Sequence, residues 1–243
     1  MNGNATNDDE PQRNWRTVVT PYLTNIAQAS APFLSTFVLI HLSAPIMANL
    51  GGSSLSSQVM LLGREYYQTS FGERYLLLAP FFAHVGAASL KRVVSPRKPR
   101  PWTDALTVTG HIAAGFLVPL HYLTHRVYPQ DPSPPIDAFG PSQLDYEFVK
   151  TGIANWPIRN WLLYGALTAA VAIHMSEGMQ IILRRTVKGA KTLSKRGRRI
   201  LASAIILPVL SGLLAVSREP IMTFSTTALR YQAAFEKHPF YRI

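Results

Sequence analysis

Hydrophobic residues are concentrated in five long runs that are separated by shorter charged tracts. The clearest run has no Asp, Glu, Lys or Arg between Arg16 and Arg64. A helix needs about 20 apolar residues to cross the hydrocarbon core of a bilayer, which is about 30 Å thick. The pattern therefore predicts an all-α fold, a polytopic membrane bundle of five transmembrane helices.

The five predicted spans divide the chain into three regions. Residues 1–21 are expected to form a polar N-terminal tail, residues 22–217 the transmembrane domain, and residues 218–243 a C-terminal interfacial tail. Gly51 and Gly52 are expected to end the first span, because glycine disfavours helix. The spans are predicted at residues 31–50 (the clearest part of the first), 74–91, 105–125, 160–183 and 200–217.

The C-terminal tail has no apolar run that is long enough to cross a membrane. Its apolar residues instead recur at helical spacing, which predicts a short amphipathic helix resting on the membrane interface. These residues are Phe224, Ala228, Tyr231 and Phe235.

The excess of positive charge lies on one side of the predicted bundle. With five crossings, the N-terminal tail and the loops at 91–104 and 184–199 share a side, with fifteen Lys and Arg against four acidic residues. The other side has nine Lys and Arg against eight acidic residues. We call these the basic side and the neutral side. Because basic loops stay on the cytosolic side of a membrane, the N-terminus is expected to face the cytosol, or the matrix in an inner membrane.

Six of the seven histidines lie within or at the ends of predicted spans, where ionisable side chains are costly and usually functional. At about 1.5 Å per residue, His41 and His121 lie nearer the neutral side, whereas His84 and His174 lie nearer the basic side. Zinc favours three or four ligands at one point, whereas a haem iron takes two axial ligands from opposite faces. The depths therefore predict two b haems with histidine pairs His41/His121 and His84/His174 as iron ligands. Hydrogen-bonded packing histidines are the alternative.

His111 competes with His121 as a ligand, but it lies near the basic side, where it is poorly placed to pair with His41. Glu177 follows His174 by three positions and shares its helix face, so it is expected to approach a ligand or a propionate, or to pair with a nearby arginine. Other residues at the span ends are interfacial anchors or partners of haem propionates. They are His125 and Arg126 on the neutral side, and Lys91, Arg92 and Arg184 on the basic side.

Several classes of function find no support in the sequence. The chain has no cysteine, which excludes disulfides, iron–sulfur ligation and a thiolate nucleophile within it. It also lacks a Gly-rich phosphate loop, a serine nucleophile elbow and an HExxH motif, so no soluble catalytic site is predicted. Its net charge of +11 also suits nucleic acid, but the basic tracts adjoin the spans and no nucleic-acid-binding pattern accompanies them.

The order and spacing of the histidine motifs resemble the di-haem cytochrome b anchors of succinate:quinone oxidoreductases and fumarate reductases. A closer resemblance is to the fungal mitochondrial outer-membrane MCP family, whose membrane domain carries a His–Gly signature. It covers about residues 22 to 217. The matching segments are Phe37 to His41, His84 to Ala88, Gly110 to His121, and His174 to Gly178.

The resemblance implies a mitochondrial outer-membrane location and a role in lipid homeostasis and mitochondrial shape. It also implies recruitment of a bridge-like, VPS-type lipid-transfer protein through a Pro-x-Pro peptide on the cytosolic face. The segment Pro99-Arg100-Pro101 supplies such a peptide on the basic side.

Two other interpretations stay open from the sequence. In one, the chain is the cytochrome b membrane anchor of a succinate- or fumarate-quinone oxidoreductase. In the other, it is a haem-free transporter or scramblase-like bundle, whose path would be lined by the polar residues of the first span. These are Ser35, Thr36 and Ser43.

Overall fold

The computed structural model describes residues 14–242, and all regular secondary structure in that range is helical. Five helices are long and apolar enough to cross a membrane. This confirms the predicted all-α fold, and the chain is a multi-pass membrane protein. The spanning helices are α1 (Trp15–Tyr67), α2 (Gly72–Val94), α3 (Ala105–Gln130), α5 (Pro157–Thr186) and α6 (Lys195–Ser217). Two shorter helices are α4 (Tyr146–Asn155) and α7 (Ser225–Glu236).

The first helix begins earlier than the predicted membrane domain. Asn14 caps it, because its side chain accepts a hydrogen bond from the Arg16 backbone N–H over 3.1 Å. Residues 15–21, which we predicted to belong to the polar tail, are therefore helical. Residues 1–13 of that predicted tail lie outside the described residues.

The two glycines at 51 and 52 turn α1 back on itself. Both have non-helical backbone angles, and Gly52 has a φ of 59°. Residues 53–67 then return alongside residues 37–50. A Cβ on Gly63 would lie 3.1 Å from Cγ2 of Ile40, and the Tyr67 ring packs edge-on against Phe37 at 5.1 Å. The predicted interruption is present, whereas the returning helix was not predicted, because its run of serines lowers its hydropathy.

Hydrogen bonds and an ion pair connect this turn to the residue that follows the end of α6 by two positions, Glu219. Glu219 accepts hydrogen bonds from both the backbone N–H (2.9 Å) and the hydroxyl of Ser53, at the start of the returning helix. Lys150 of α4 has only 2% of its side chain exposed, pairs with Glu147 and lies 3.7 Å from Glu219. A buried ammonium needs such partners to offset its lost hydration.

Prolines explain three widened turns in α2 and α3. Each π-helical segment ends two residues before a proline. A proline ring clashes with the carbonyl four residues earlier and donates no hydrogen bond, and a π-turn is one local adjustment that accommodates it. Each widening shifts the faces of the residues that follow. The pairs are Gly72–Leu78 before Pro80, Ala113–Leu117 before Pro119, and Leu123–Val127 before Pro129.

A compact cap covers the neutral side of the bundle. It consists of α4, α7 and the loop at 131–145, and its core includes Phe148, Tyr231 and Phe235. The predicted C-terminal amphipathic helix is present as α7, but the face with Tyr231 and Phe235 packs against α4 rather than against lipid. Phe235 can approach α4 this closely because residue 152 is a glycine, and a Cβ there would lie 2.6 Å from the Phe235 ring.

Candidate functional site

The structure brings together both predicted histidine pairs. The ring centroids of His41 and His121 are 5.9 Å apart, and those of His84 and His174 are 6.0 Å apart. The ring planes cross at 75° and 83°, respectively. Each pair joins helices that are distant in sequence, α1 with α3 and α2 with α5, so two imidazoles meet at each of two depths.

The basic-side pair is held by main-chain carbonyls. Nδ1 of His84 lies 2.8 Å from the carbonyl oxygen of Ala27 on α1, and Nδ1 of His174 lies 3.1 Å from that of Leu106 on α3. A carbonyl only accepts, so each Nδ1 must carry the proton, and each Nε2 is left with a free lone pair. Metal-ligating histidines are oriented by this type of contact.

A glycine makes room for the imidazole of His174. A Cβ on Gly110 of α3 would lie 2.7 Å from Cε1 and 2.8 Å from Nδ1 of that ring. Such a distance is too short for any real contact, so only glycine fits at position 110 while the His174 ring stays where it is. Gly110 belongs to the segment on which the family resemblance rests, and the close approach gives its presence a physical reason.

The neutral-side pair is held less firmly. Nδ1 of His41 lies 3.4 Å from the hydroxyl of Tyr67, which belongs to the returning helix at 53–67. Nδ1 of His121 is buried and has no hydrogen-bond partner among the described residues. The His121 ring stacks on His125 at 4.3 Å with an interplanar angle of 20°. Packing of rings, rather than hydrogen bonds, therefore positions His121.

His125 is committed to partners within the protein. Its Nε2 lies 2.8 Å from the hydroxyl of Tyr164, and its Nδ1 lies 2.8 Å from the hydroxyl of Thr124. The rings of Phe148 and Phe235 pack edge-on against it at 5.5 Å and 5.7 Å. The cap thus covers His125, whose ring lies against His121 of the neutral-side pair. The sequence predicted His125 as an interfacial anchor or a propionate partner.

Other residues predicted near propionates also have partners in the protein. Arg126 makes a bidentate ion pair with Glu73 at 2.8 Å and 2.6 Å, and Tyr122 donates to the same carboxylate. Glu177 pairs with Arg198 at 2.9 Å, rather than with Arg184 or Arg185.

On the basic side, Lys91 is half-buried at the end of α2 and has no ion-pair partner among residues 14–242. Arg92 lies over the Trp102 ring, 4.0 Å from its centroid. The His111 ring also contacts Trp102, with centroids 4.7 Å apart, and its Nδ1–H donates to the Thr107 carbonyl oxygen over 2.7 Å, so His111 joins neither pair. Pro99 and Pro101 are exposed in the loop between α2 and α3.

The spacing within each pair fits an iron ion between the two rings. A metal–imidazole nitrogen bond of about 2.0 Å on each side, plus about 1.1 Å from nitrogen to ring centre, separates the centroids by about 6 Å. The described residues contain no group of three or more His, Cys, Asp or Glu placed to hold a metal ion. Each pair therefore offers two nitrogen ligands, the number that haem iron takes in this type of coordination.

Three residues of the site were not predicted from the sequence, and two of them are tyrosines. Tyr67 contacts His41 from the unpredicted returning helix, and Tyr164 bonds His125 from α5. Glu73 was also missed, although a carboxylate beside a span is a signal that a basic partner lies near. Comparison of the chain with protein-family models, with curated proteins and with solved structures finds no match.

Proposed function

We propose that this membrane protein holds two b haems, one between His41 and His121 and one between His84 and His174. The observation that carries the proposal is that both pairs, chosen by depth alone, have ring centroids about 6 Å apart. Free nitrogen lone pairs on His84 and His174 support it, because a ligand must be unprotonated at the metal-binding atom. When bound, such a haem supplies one-electron chemistry.

The protein's own contribution is to position the ligands and to exclude water. The carbonyls of Ala27 and Leu106 orient the basic-side imidazoles, and Gly110 leaves space for one of them. On the neutral side, the cap shields the rings behind His121. Burial of this kind sets the polarity around a metal site and hence its redox potential.

The cellular role in the proposal follows from the family resemblance. The protein acts in lipid homeostasis and mitochondrial shape as a multi-pass protein of the mitochondrial outer membrane, with its N-terminus in the cytosol. Pro99 and Pro101 serve there as the docking peptide for a VPS-type lipid-transfer protein, and their exposure supports this role.

A reduced-minus-oxidised absorption spectrum with haem quantitation on the purified protein tests the haem proposal. We expect about two haems per chain in the parent protein and about one after His84→Ala or His121→Ala, because each iron needs both imidazoles. The double change His84→Ala with His174→Ala should lose no more haem than either single change. His111→Ala is the matched control and should retain both haems.

A folded parent protein without haem, expressed with haem available, would overturn the proposal in favour of a haem-free bundle. Fractionation of mitochondria tests the location. Recovery in the inner membrane together with a flavoprotein would instead support the cytochrome b anchor of a respiratory enzyme.

A further inference from the structure

A shallow groove, open to the surroundings, runs along the outer face of α6. Its first part, about 460 Å³, extends from Arg196 and Arg199 to Pro208. Its second part, about 540 Å³, lies between α6 and α1 and has Ile46 and Ser211 in its wall. Leu207 and Pro208 line both parts, so the two parts are adjacent. We call this feature the α6 groove.

Two arginines without partners stand at the basic-side end of the groove. Arg196 and Arg199 are exposed, and neither has a hydrogen-bond or ion-pair partner within the described residues. Their neighbour Arg198 differs, because it pairs with Glu177 at 2.9 Å. A guanidinium presents a planar fork of donors that matches a phosphate group, so the two free arginines form a site for an anion.

The rest of the groove is apolar and has small residues in its floor. Ser203, Ala204 and Ser211 lie on one face of α6 at helical spacing, between large exposed side chains such as Leu207, which is 66% exposed. From Arg199 to Ser211 the helix rises about 18 Å. One leaflet of a bilayer has about 15 Å of hydrocarbon, so the groove spans one leaflet, with its cationic end at the surface.

We infer that the α6 groove binds a single anionic glycerophospholipid from the basic-side leaflet. Its phosphate contacts Arg196 and Arg199, and one acyl chain lies over Ser203 and Ala204. An anionic headgroup is favoured over a zwitterionic one, because its net negative charge remains to be neutralised by the two arginines. A second copy of the chain fits poorly, since a parallel symmetric contact along α6 would bring like charges together.

Native mass spectrometry of the full chain in detergent tests this inference, with dioleoyl phosphatidylserine and dioleoyl phosphatidylcholine added in equal amounts. We expect the parent protein to retain the serine lipid preferentially. Binding should weaken about fivefold for each arginine removed, so about twenty-fivefold for Arg196→Gln with Arg199→Gln. The matched control, Lys188→Gln with Lys191→Gln, removes the same charge from the adjacent loop and should leave retention unchanged.

A second pair of variants tests the apolar part of the groove. Ala204→Phe fills the floor and should lower retention of phosphatidylserine, whereas Leu214→Phe on the same helix, outside the groove, should not. Circular dichroism and gel filtration confirm that each variant is folded. These two changes leave every charge in place, so a loss confined to Ala204→Phe reports the acyl-chain contact.

Three results would overturn the inference. Equal loss in the arginine variant and in its lysine control would show diffuse attraction only. Displacement of the lipid by inorganic phosphate would assign a site for free phosphate. A dimer that strengthens when Arg196 and Arg199 are neutralised would assign the groove to self-association.

Discussion

At the scale of single residues, the two histidine pairs differ in how their imidazoles are oriented. Main-chain carbonyls hold both histidines of the basic-side pair, whereas Nδ1 of His121 has no partner among the described residues. Loss of an orienting contact to a metal ligand typically costs 10- to 100-fold in metal affinity. We therefore expect unequal haem affinities at the two sites, a consequence that rests on the proposed haem binding.

Titration of the haem-free protein with haemin measures this difference. We expect two phases, with the tighter one lost in His84→Ala and the weaker one lost in His121→Ala. The affinity of the surviving site in each variant should match its phase in the parent. Equal affinities at the two sites would show that the carbonyl contacts do not set the strength of binding.

Gly110 controls the position of the proposed ligand His174 without being a ligand itself. Gly110→Ala would place a methyl group 2.7 Å from Cε1 of His174, so that ring must move and the basic-side haem should be lost. Gly115→Ala on the same helix is the control, because a Cβ there meets nothing within 4 Å. Haem quantitation should give about one haem per chain for the first variant and about two for the second.

Phe235 anchors α7 within the cap, which predicts a large effect on stability. The residue is 0% exposed and stacks on Phe148 at 4.4 Å. Phe235→Ala should lower the free energy of unfolding by about 3–5 kcal/mol, the usual cost for a buried phenylalanine. Phe224→Ala, at a residue 84% exposed, should change it by less than about 0.5 kcal/mol. Denaturant unfolding in detergent measures both, and equal losses would contradict a cap that is docked through α7.

At the scale of helices, the bend in α1 depends on Gly52. Its φ of 59° is unfavourable for other residues, and a Cβ there would overlap Oε1 of Glu219. Gly52→Ala should therefore destabilise the protein by more than the roughly 1–3 kcal/mol that such a sparsely populated backbone conformation costs. Gly189→Ala is the comparison, since its φ is also positive, at 75°, and its Cβ would meet nothing within 4 Å. Thermal unfolding of the two variants compares them directly, and similar shifts would argue against the Glu219 contact.

Depth along a helix was predictable from the sequence, whereas direction around it was not. Counting residues at a constant rise placed His41 level with His121, and that count does not depend on which way a side chain points. The π-turns of α3 on both sides of His121 change the direction of later side chains without much change in depth. The partners of His125 and Arg126 depend on direction, so the sequence did not reveal their contacts with Tyr164 and Glu73.

The returning helix and the packing of the cap could not be predicted from the sequence for a different reason. Residues 53–67 are too polar to form a span alone, and the groups that hold their first residue, Glu219 and its neighbour Lys150, come from distant positions in the chain. The apolar face of α7 was visible in the sequence, but lipid and protein satisfy such a face equally well. The partner of this face is α4, and the contact that determines it, Phe235 against Gly152, is visible only in the structure.

At the scale of the whole molecule, the charge asymmetry predicts the orientation of the chain. The basic side, which includes the loops after α2 and α5, should face the cytosol, and the cap should lie across the membrane from it. Protease treatment of intact mitochondria should remove a tag inserted after Gly189 and should spare one placed after the C-terminus until the outer membrane is opened. Cleavage of the C-terminal tag in intact mitochondria would contradict a five-span topology with a cytosolic N-terminus.

The docking of the C-terminal segment also sets an order of assembly. Tyr241 donates a hydrogen bond of 3.0 Å to Asn160, a residue with 0% exposure in α5. Burial raises the pKa of Tyr241, which keeps that hydroxyl protonated. All four histidines of the two pairs precede this segment by more than sixty positions, so the growing chain exposes them before translation reaches Tyr241. The cap can therefore close over the neutral-side pair only after all four histidines have been synthesised.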